Sequence, residues 1–222
     1  MIVKQLLKRN QYVGKRAWLF PTNNIRQIVL HHTQGSTADG AISWWGLTPE
    51  PVGTNFIIDK DGTIVNTIPV DCWAYTLGMS SQSNNIPSVY KTPKYARNIE
   101  QMGVSIELVS EGELVKMDDT RYLFEDGGRF IDKSKVTTLD KPHRGYKHYV
   151  SYTTEQIKSL ELLIKQLSND FSIPISGKHD IFDINYKALQ GEKGIFSHVC
   201  YRSKDKTDVF PQPELITMLN SL

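Results

Sequence analysis

The chain has 222 residues, 39% of them hydrophobic and 23% charged, the composition of an ordinary globular protein able to bury its own core. Its 26 basic and 24 acidic residues leave a net charge of +2, too small to indicate a nucleic-acid partner. The 15 glycines and 10 prolines exclude a collagen-like or low-complexity chain, and two cysteines, Cys72 and Cys200, cannot make a disulfide framework and are read as two thiols.

Residues 1–20 hold no apolar stretch long enough for a signal peptide, and no run approaches the ~20 apolar residues of a membrane span, so a soluble product made in the cytoplasm is expected. In chain order, residues 1–24 read as an N-terminal extension. IRQIVLH (25–31) reads as a buried strand ending on His31. HTQGSTADG is turn-rich and leads into a short helix around Ala38–Trp45. VGTNFIIDKDGTIV (52–65) predicts a hairpin, with NFIID and TIV as strands and Lys60-Asp61-Gly62 as the turn. GVSIELV (103–109) predicts a strand carrying one acid, Glu107.

Residues 110–150 are polar and rich in turn residues (EDGG, LDKPHRG) and predict an excursion from the core with a small hairpin. The strongest helix is expected over 153–171, where Ile157, Leu160, Leu163, Ile164, Leu167 and Phe171 recur at helical spacing behind the capping box Thr153-x-x-Gln156. GIFSHV (194–199) predicts a strand ending near His198. Strands alternating with helices, and no Pro/Gly/Ser linker, indicate one α/β domain over 1–222.

His31 and His198 stand where apolar strands end, which places their side chains at a sheet rim. Lys206 and Asp208 follow His198 at +8 and +10 in HVCYRSKDKTDVFP. A histidine and an aspartate ten apart across a loop can meet at one ion, and His31 brings a third ligand from a distant strand. Three protein ligands with one open position is the arrangement of catalytic zinc; ligand type alone also admits iron or cobalt. Glu107 is either a surface-facing strand position or a general base whose pKa is raised by partial burial. His179 in GKHDIF is a rival second ligand, but Leu189 stands ten beyond it where an acid is needed. Cys200 is a rival third ligand, very close in sequence to His198. His143 and His148 are read as solvated loop histidines, and Trp44, Trp45 and Trp73 as core residues or groove walls.

IVLHHT, VGTNFIIDKDGTI, VSIELV and HVCYRSKDKTD resemble the zinc-dependent N-acetylmuramoyl-L-alanine amidases. That family includes phage endolysins, muropeptide-recycling amidases and animal peptidoglycan recognition proteins. The resemblance runs from about residue 25 to residue 215, with extra sequence at 110–150 and 178–193. It implies a central mixed β-sheet flanked by helices. It implies one Zn2+ held by His31, His198 and Asp208, with Lys206 stabilising the oxyanion and Glu107 as the catalytic glutamate. Many short phage members carry a tyrosine where this chain has Thr54, which leaves the base role to Glu107. Thr76 stands where the family often has a histidine, and Val209 where it commonly has proline.

The implied reaction is hydrolysis of the amide between N-acetylmuramic acid and L-alanine. The implied partners are peptidoglycan or muropeptides; Arg97, Arg144, Lys147 and Arg202 are either solvated surface residues, the default, or a basic rim for an anionic stem peptide. No nucleic acid and no transmembrane segment are expected, and the chain is expected to be a monomer. The setting would be either a phage endolysin released through a holin or a cytoplasmic recycling enzyme. Competing readings are a non-catalytic peptidoglycan-binding module and a zinc peptidase acting within the stem. A third reading is a plain structural α/β protein; the full ligand set together with Glu107 favours an enzyme, and the mass of released fragments would separate the amidase from the peptidase.

Overall fold

A computed structural model of the protein describes residues 3–5, 20–21, 24–48, 52–79, 98–124, 128–176, 180–202 and 204–222. Its strands are β1 (Val3–Gln5), β2 (Phe20–Pro21), β3 (Gln27–His32), β4 (Phe56–Ile58), β5 (Ile64–Asn66), β6 (Cys72–Trp73), β7 (Gly103–Leu108), β8 (Glu113–Lys116), β9 (Arg121–Phe124), β10 (Arg129–Asp132), β11 (Val136–His143), β12 (Tyr146–Val150) and β13 (Gly194–Ser197). Its helices are α1 (Ala38–Leu47), α2 (Thr154–Phe171), α3 (Tyr186–Leu189) and α4 (Pro213–Asn220).

Six strands form a mixed sheet in the order β1-β5-β4-β7-β3-β13. Three neighbours, β7, β3 and β13, run parallel. Every residue of β3 is buried, as expected of a central parallel strand covered on both faces. The two faces separate by the strand period of two. Phe56, Ile58, Val104, Ile106 and Leu108 join the large core under α2 and α4, whereas Ile57 packs with Ala38, Trp45, Val65 and Val109 under α1. The pairing of β4 with β5 is the predicted hairpin. Its turn needs Gly62 at φ 83°, and a Cβ there would lie 2.9 Å from the Glu155 carbonyl of α2. Residues 3–5 of the N-terminal stretch add an edge strand to this sheet, and 20–21 pair with β6.

The predicted capping box opens α2. Thr153 Oγ1 accepts from Gln156 N, and Gln156 Oε1 accepts from Thr153 N. The buried Gln156 amide then donates to the carbonyls of Ile58 and Val109, which ties the helix start to the ends of β4 and β7. Ile157, Leu160, Leu163, Ile164 and Leu167 supply the apolar stripe. Leu160 is fully buried, so Leu160→Ala is expected to cost about 2–5 kcal/mol, read as a fall in the urea midpoint.

Residues 110–150 depart from the expected excursion. They build a five-stranded antiparallel sheet, β10-β9-β8-β12-β11. Leu114, Tyr122, Ile131 and Val150 pack together on one face, Leu139 and Tyr149 join the main core, and Val115 and Phe130 are exposed. Strands of four to eight residues with many polar side chains give little hydrophobic signal, which is why they read as loop.

The insertion also corrects the reading of His143 as a solvated loop residue. It is buried, its Nε2 donates to the Thr207 carbonyl, and its ring lies edge-on to Phe182. Burial, with the neighbouring Arg144 charge, lowers its pKa from 6.5 to about 4. The unfolded chain therefore takes up a proton below pH 6.5 that the native state refuses until about pH 4, and stability must fall across that window as pH drops. Urea midpoints of chelated protein between pH 7 and pH 4 should fall less steeply in His143→Gln than in wild type; parallel profiles would contradict this.

Candidate functional site

The parallel strands β7, β3 and β13 end side by side, and ligands of open α/β sheets bind at such carboxyl ends. Register places His31 of β3 beside Glu107 of β7, on the face that also carries Ile57. Where β13 ends, the chain turns into a short 3-10 helix at His198–Cys200, and His198 is its first residue. Asp208 follows on a loop whose carbonyl at 208 accepts from Val199 N.

These elements bring the three predicted ligands together. His31 Nδ1 lies 3.1 Å from His198 Nδ1 and 3.2 Å from Asp208 Oδ2, and His198 Nδ1 lies 3.0 Å from the same oxygen. All three residues are buried, and together they form a cluster with the donor types of a metal site. His198 Nε2 is 3.0 Å from the Leu77 carbonyl. A carbonyl only accepts, so Nε2 carries the proton and Nδ1 turns its lone pair to the triangle. Burial, only partly offset by the hydrogen bond to Asp208, lowers His31 to about 4 and keeps it neutral. Burial pushes the Asp208 carboxyl up, but the two imidazoles packed against it outweigh this and hold it well below the usual range.

Two imidazoles and a carboxylate packed this closely form a set that could hold one metal ion. The edges of the triangle are close to the ~3.3 Å between ligand atoms of a tetrahedral ion with bonds of about 2.0–2.1 Å. The donor set therefore fits zinc.

The triangle opens onto a cavity of about 510 Å³. Glu107 and Lys206 both line it, with Thr76, Trp44, Trp45 and Val52. Glu107 is half-buried, and its Oε2 is sealed from solvent with no hydrogen-bond partner among the described residues. Burial, followed by the negative charge of Asp208, raises its pKa well above 4.5, with Lys206 opposing. A carboxyl so placed can exchange a proton with a group in the cavity.

The family model described as N-acetylmuramoyl-L-alanine amidase matches residues 21–208. The chain belongs to the N-acetylmuramoyl-L-alanine amidase family. As a member it is an amidase, a hydrolase directed at peptidoglycan. A search of curated proteins finds no match. Among solved structures, AmiD of E. coli, in complex with the substrate anhydro-N-acetylmuramic acid-L-Ala-D-gamma-Glu-L-Lys, aligns with a TM-score of 0.50 at 15% identity over 89% of this chain and 58% of that one. The Staphylococcus aureus hydrolase AmiA, in complex with its ligand, aligns with a TM-score of 0.50 at 11% identity over 99% of this chain and 82% of that one. At these identities the likeness shows a shared fold.

The remaining residues singled out in the amidase sequence divide as follows. Cys200 is buried with its Sγ near Ser197 and the Ile181 carbonyl, and burial pushes its thiol up to about 12, so it is unsuited to be the third ligand. Neither Cys72 nor Cys200 is in a disulfide. His179 and Arg97 lie outside the described residues. Trp45 is on the buried face of α1, Trp44 is 58% exposed at the cavity, and Trp73 packs edge-on to Tyr75. Arg202 reaches the Gly78 carbonyl and Asp205, and Arg144 reaches Asp183. Thr54 is buried and donates to the Phe56 carbonyl. No described helix is long and apolar enough to cross a membrane.

Sequence reading missed His32, the neighbour of His31. Its Nδ1 lies 3.0 Å from the Tyr152 hydroxyl. It also missed Glu100, a buried carboxylate that accepts from the amides of Thr76, Leu77 and Met79 and so fixes the carbonyl to which His198 donates. The doubled histidine at 31–32 was a signal for the first; nothing local marks Glu100.

Proposed function

We propose that the protein hydrolyses the amide between N-acetylmuramic acid and L-alanine in peptidoglycan or soluble muropeptides, with zinc held by His31 Nδ1, His198 Nδ1 and Asp208. The observation that carries this reading is the buried triangle of those three groups at the floor of a cavity that also holds Glu107 and Lys206. Zinc at that position would polarise the scissile carbonyl and ease ionisation of a water.

Glu107, raised in pKa and facing the cavity, takes the proton of the attacking water and returns it to the departing amine of L-alanine. The Lys206 ammonium supplies positive charge to the oxygen that becomes negative as the carbonyl is attacked. Leu77, through its carbonyl, keeps His198 in the tautomer that presents Nδ1. Trp44 and Trp45 wall the cavity where the sugar and peptide must lie. The muramoyl-peptide held by AmiD supports this choice of substrate class.

The test is mass spectrometry of products from sacculi and from soluble muropeptides. The expected fragments are stem peptides with a free L-alanine N-terminus. Cleavage inside the stem, or binding to sacculi without cleavage by zinc-loaded protein, would overturn the assignment. Comparing the two substrates separates a lytic enzyme from a recycling one.

A further inference from the structure

The segment Lys206–Thr207–Asp208 belongs to no strand or helix, yet it contributes one group to the cavity and one to the triangle. What fixes it comes from the inserted sheet. Buried Thr207 donates its hydroxyl to Glu113 Oε2 at 2.8 Å, and its carbonyl accepts from His143 Nε2 at 3.1 Å. Glu113 opens β8 and pairs in register with Tyr149 of β12, and His143 closes β11, so both partners exist only because of the insertion. His32 completes the group, 3.5 Å from Thr207 Oγ1 and 3.9 Å from Glu113 Oε2. Its approach depends on Gly112, at φ 81°, where a Cβ would stand 2.9 Å from His32 Nε2. Just beyond the segment, Phe210 stacks on Tyr149 at 4.4 Å.

Thr207 is thus held on both sides while its chain neighbours point to the chemistry. We infer that Glu113 and Thr207 are a positioning pair by which the inserted sheet sets Asp208 toward the two imidazoles and Lys206 into the cavity. The insertion is then part of the metal-holding apparatus and not an appendage. This rests on the metal reading given above. Releasing the Thr207 side chain frees Asp208 and Lys206 together, so metal affinity and turnover fall together.

Thr207→Val keeps the volume and removes the donor. Glu113→Ala removes the acceptor at a side chain only 18% exposed. Zinc dissociation constants are read by chelator competition, and kcat is read separately at saturating zinc. Far-UV circular dichroism and urea midpoints of the chelated proteins report the fold. Each single variant should bind zinc about 10–100-fold more weakly, the usual effect of losing a group that orients a ligand. The double variant should be no weaker than the weaker single, because the two residues form one bond. Glu113→Gln and Thr207→Ser, which restore acceptor and donor, should recover most of the affinity. Folded Thr207→Val and Glu113→Ala proteins that hold zinc as tightly as wild type would overturn the inference while leaving the metal reading intact. Wild-type protein that takes up no zinc would overturn both.

Discussion

Glu107→Gln is expected to lower kcat/KM for muramoyl-peptide hydrolysis by about 10²–10⁴-fold while zinc content stays at the wild-type level. Glutamine fills the same space on β7 but cannot take up a proton. The residue lies outside the ligand triangle, so binding of the ion should persist. A second effect has the opposite sign. In the unfolded chain Glu107 ionises above pH 4.5, whereas in the chelated native protein burial and then the Asp208 charge make it hold its proton to higher pH. The native state therefore loses stability as pH rises above 4.5 through the raised pKa. Glutamine removes that loss, so the chelated variant should be more stable than wild type near neutral pH, with a higher urea midpoint. A less active and more stable protein is the signature of a group buried for function. Full activity in Glu107→Gln would end its assignment as the base.

Asp208→Ala is the second large change. It leaves two nitrogen ligands where three groups met, so zinc affinity should fall by more than the ~10–100-fold that an orienting partner controls. Hydrolysis should drop to background with it. Asp208→Asn separates charge from shape: it keeps the outline of the side chain but loses the anion that pairs with both histidines. Chelator competition should place Asn close to Ala, because a neutral amide is a poor zinc ligand. An Asp208→Ala protein that still retains one tightly held zinc would remove this residue from the site.

The strands and helix that position the site were legible because they are strongly patterned. β3 is carried by the apolar run Ile28-Val29-Leu30 and closes on His31-His32, one residue later than expected. α2 announces itself by its 3.6-residue stripe and its capping box, both present in the structure. The Lys206-x-Asp208 spacing was legible because it lies on a single loop. The inserted sheet was hidden because a short half-polar strand is locally indistinguishable from a turn. The contacts of Glu113, His143 and Glu100 were hidden for another reason. Each acts on a residue more than 20 positions away, and only the sheet topology brings them together. His143 shows the consequence: its sequence neighbours are turn residues, whereas its spatial neighbours are Tyr149, Phe182 and the Thr207 backbone.

The most direct measurement is the zinc content of the purified chain, by mass spectrometry of the element after gel filtration in metal-free buffer, set beside the amidase rate of the same fractions. The account predicts one zinc per chain, with hydrolysis lost on chelation and regained on return of one equivalent. Fractions that hold no zinc and cleave the muramoyl–alanine bond at full rate would contradict it.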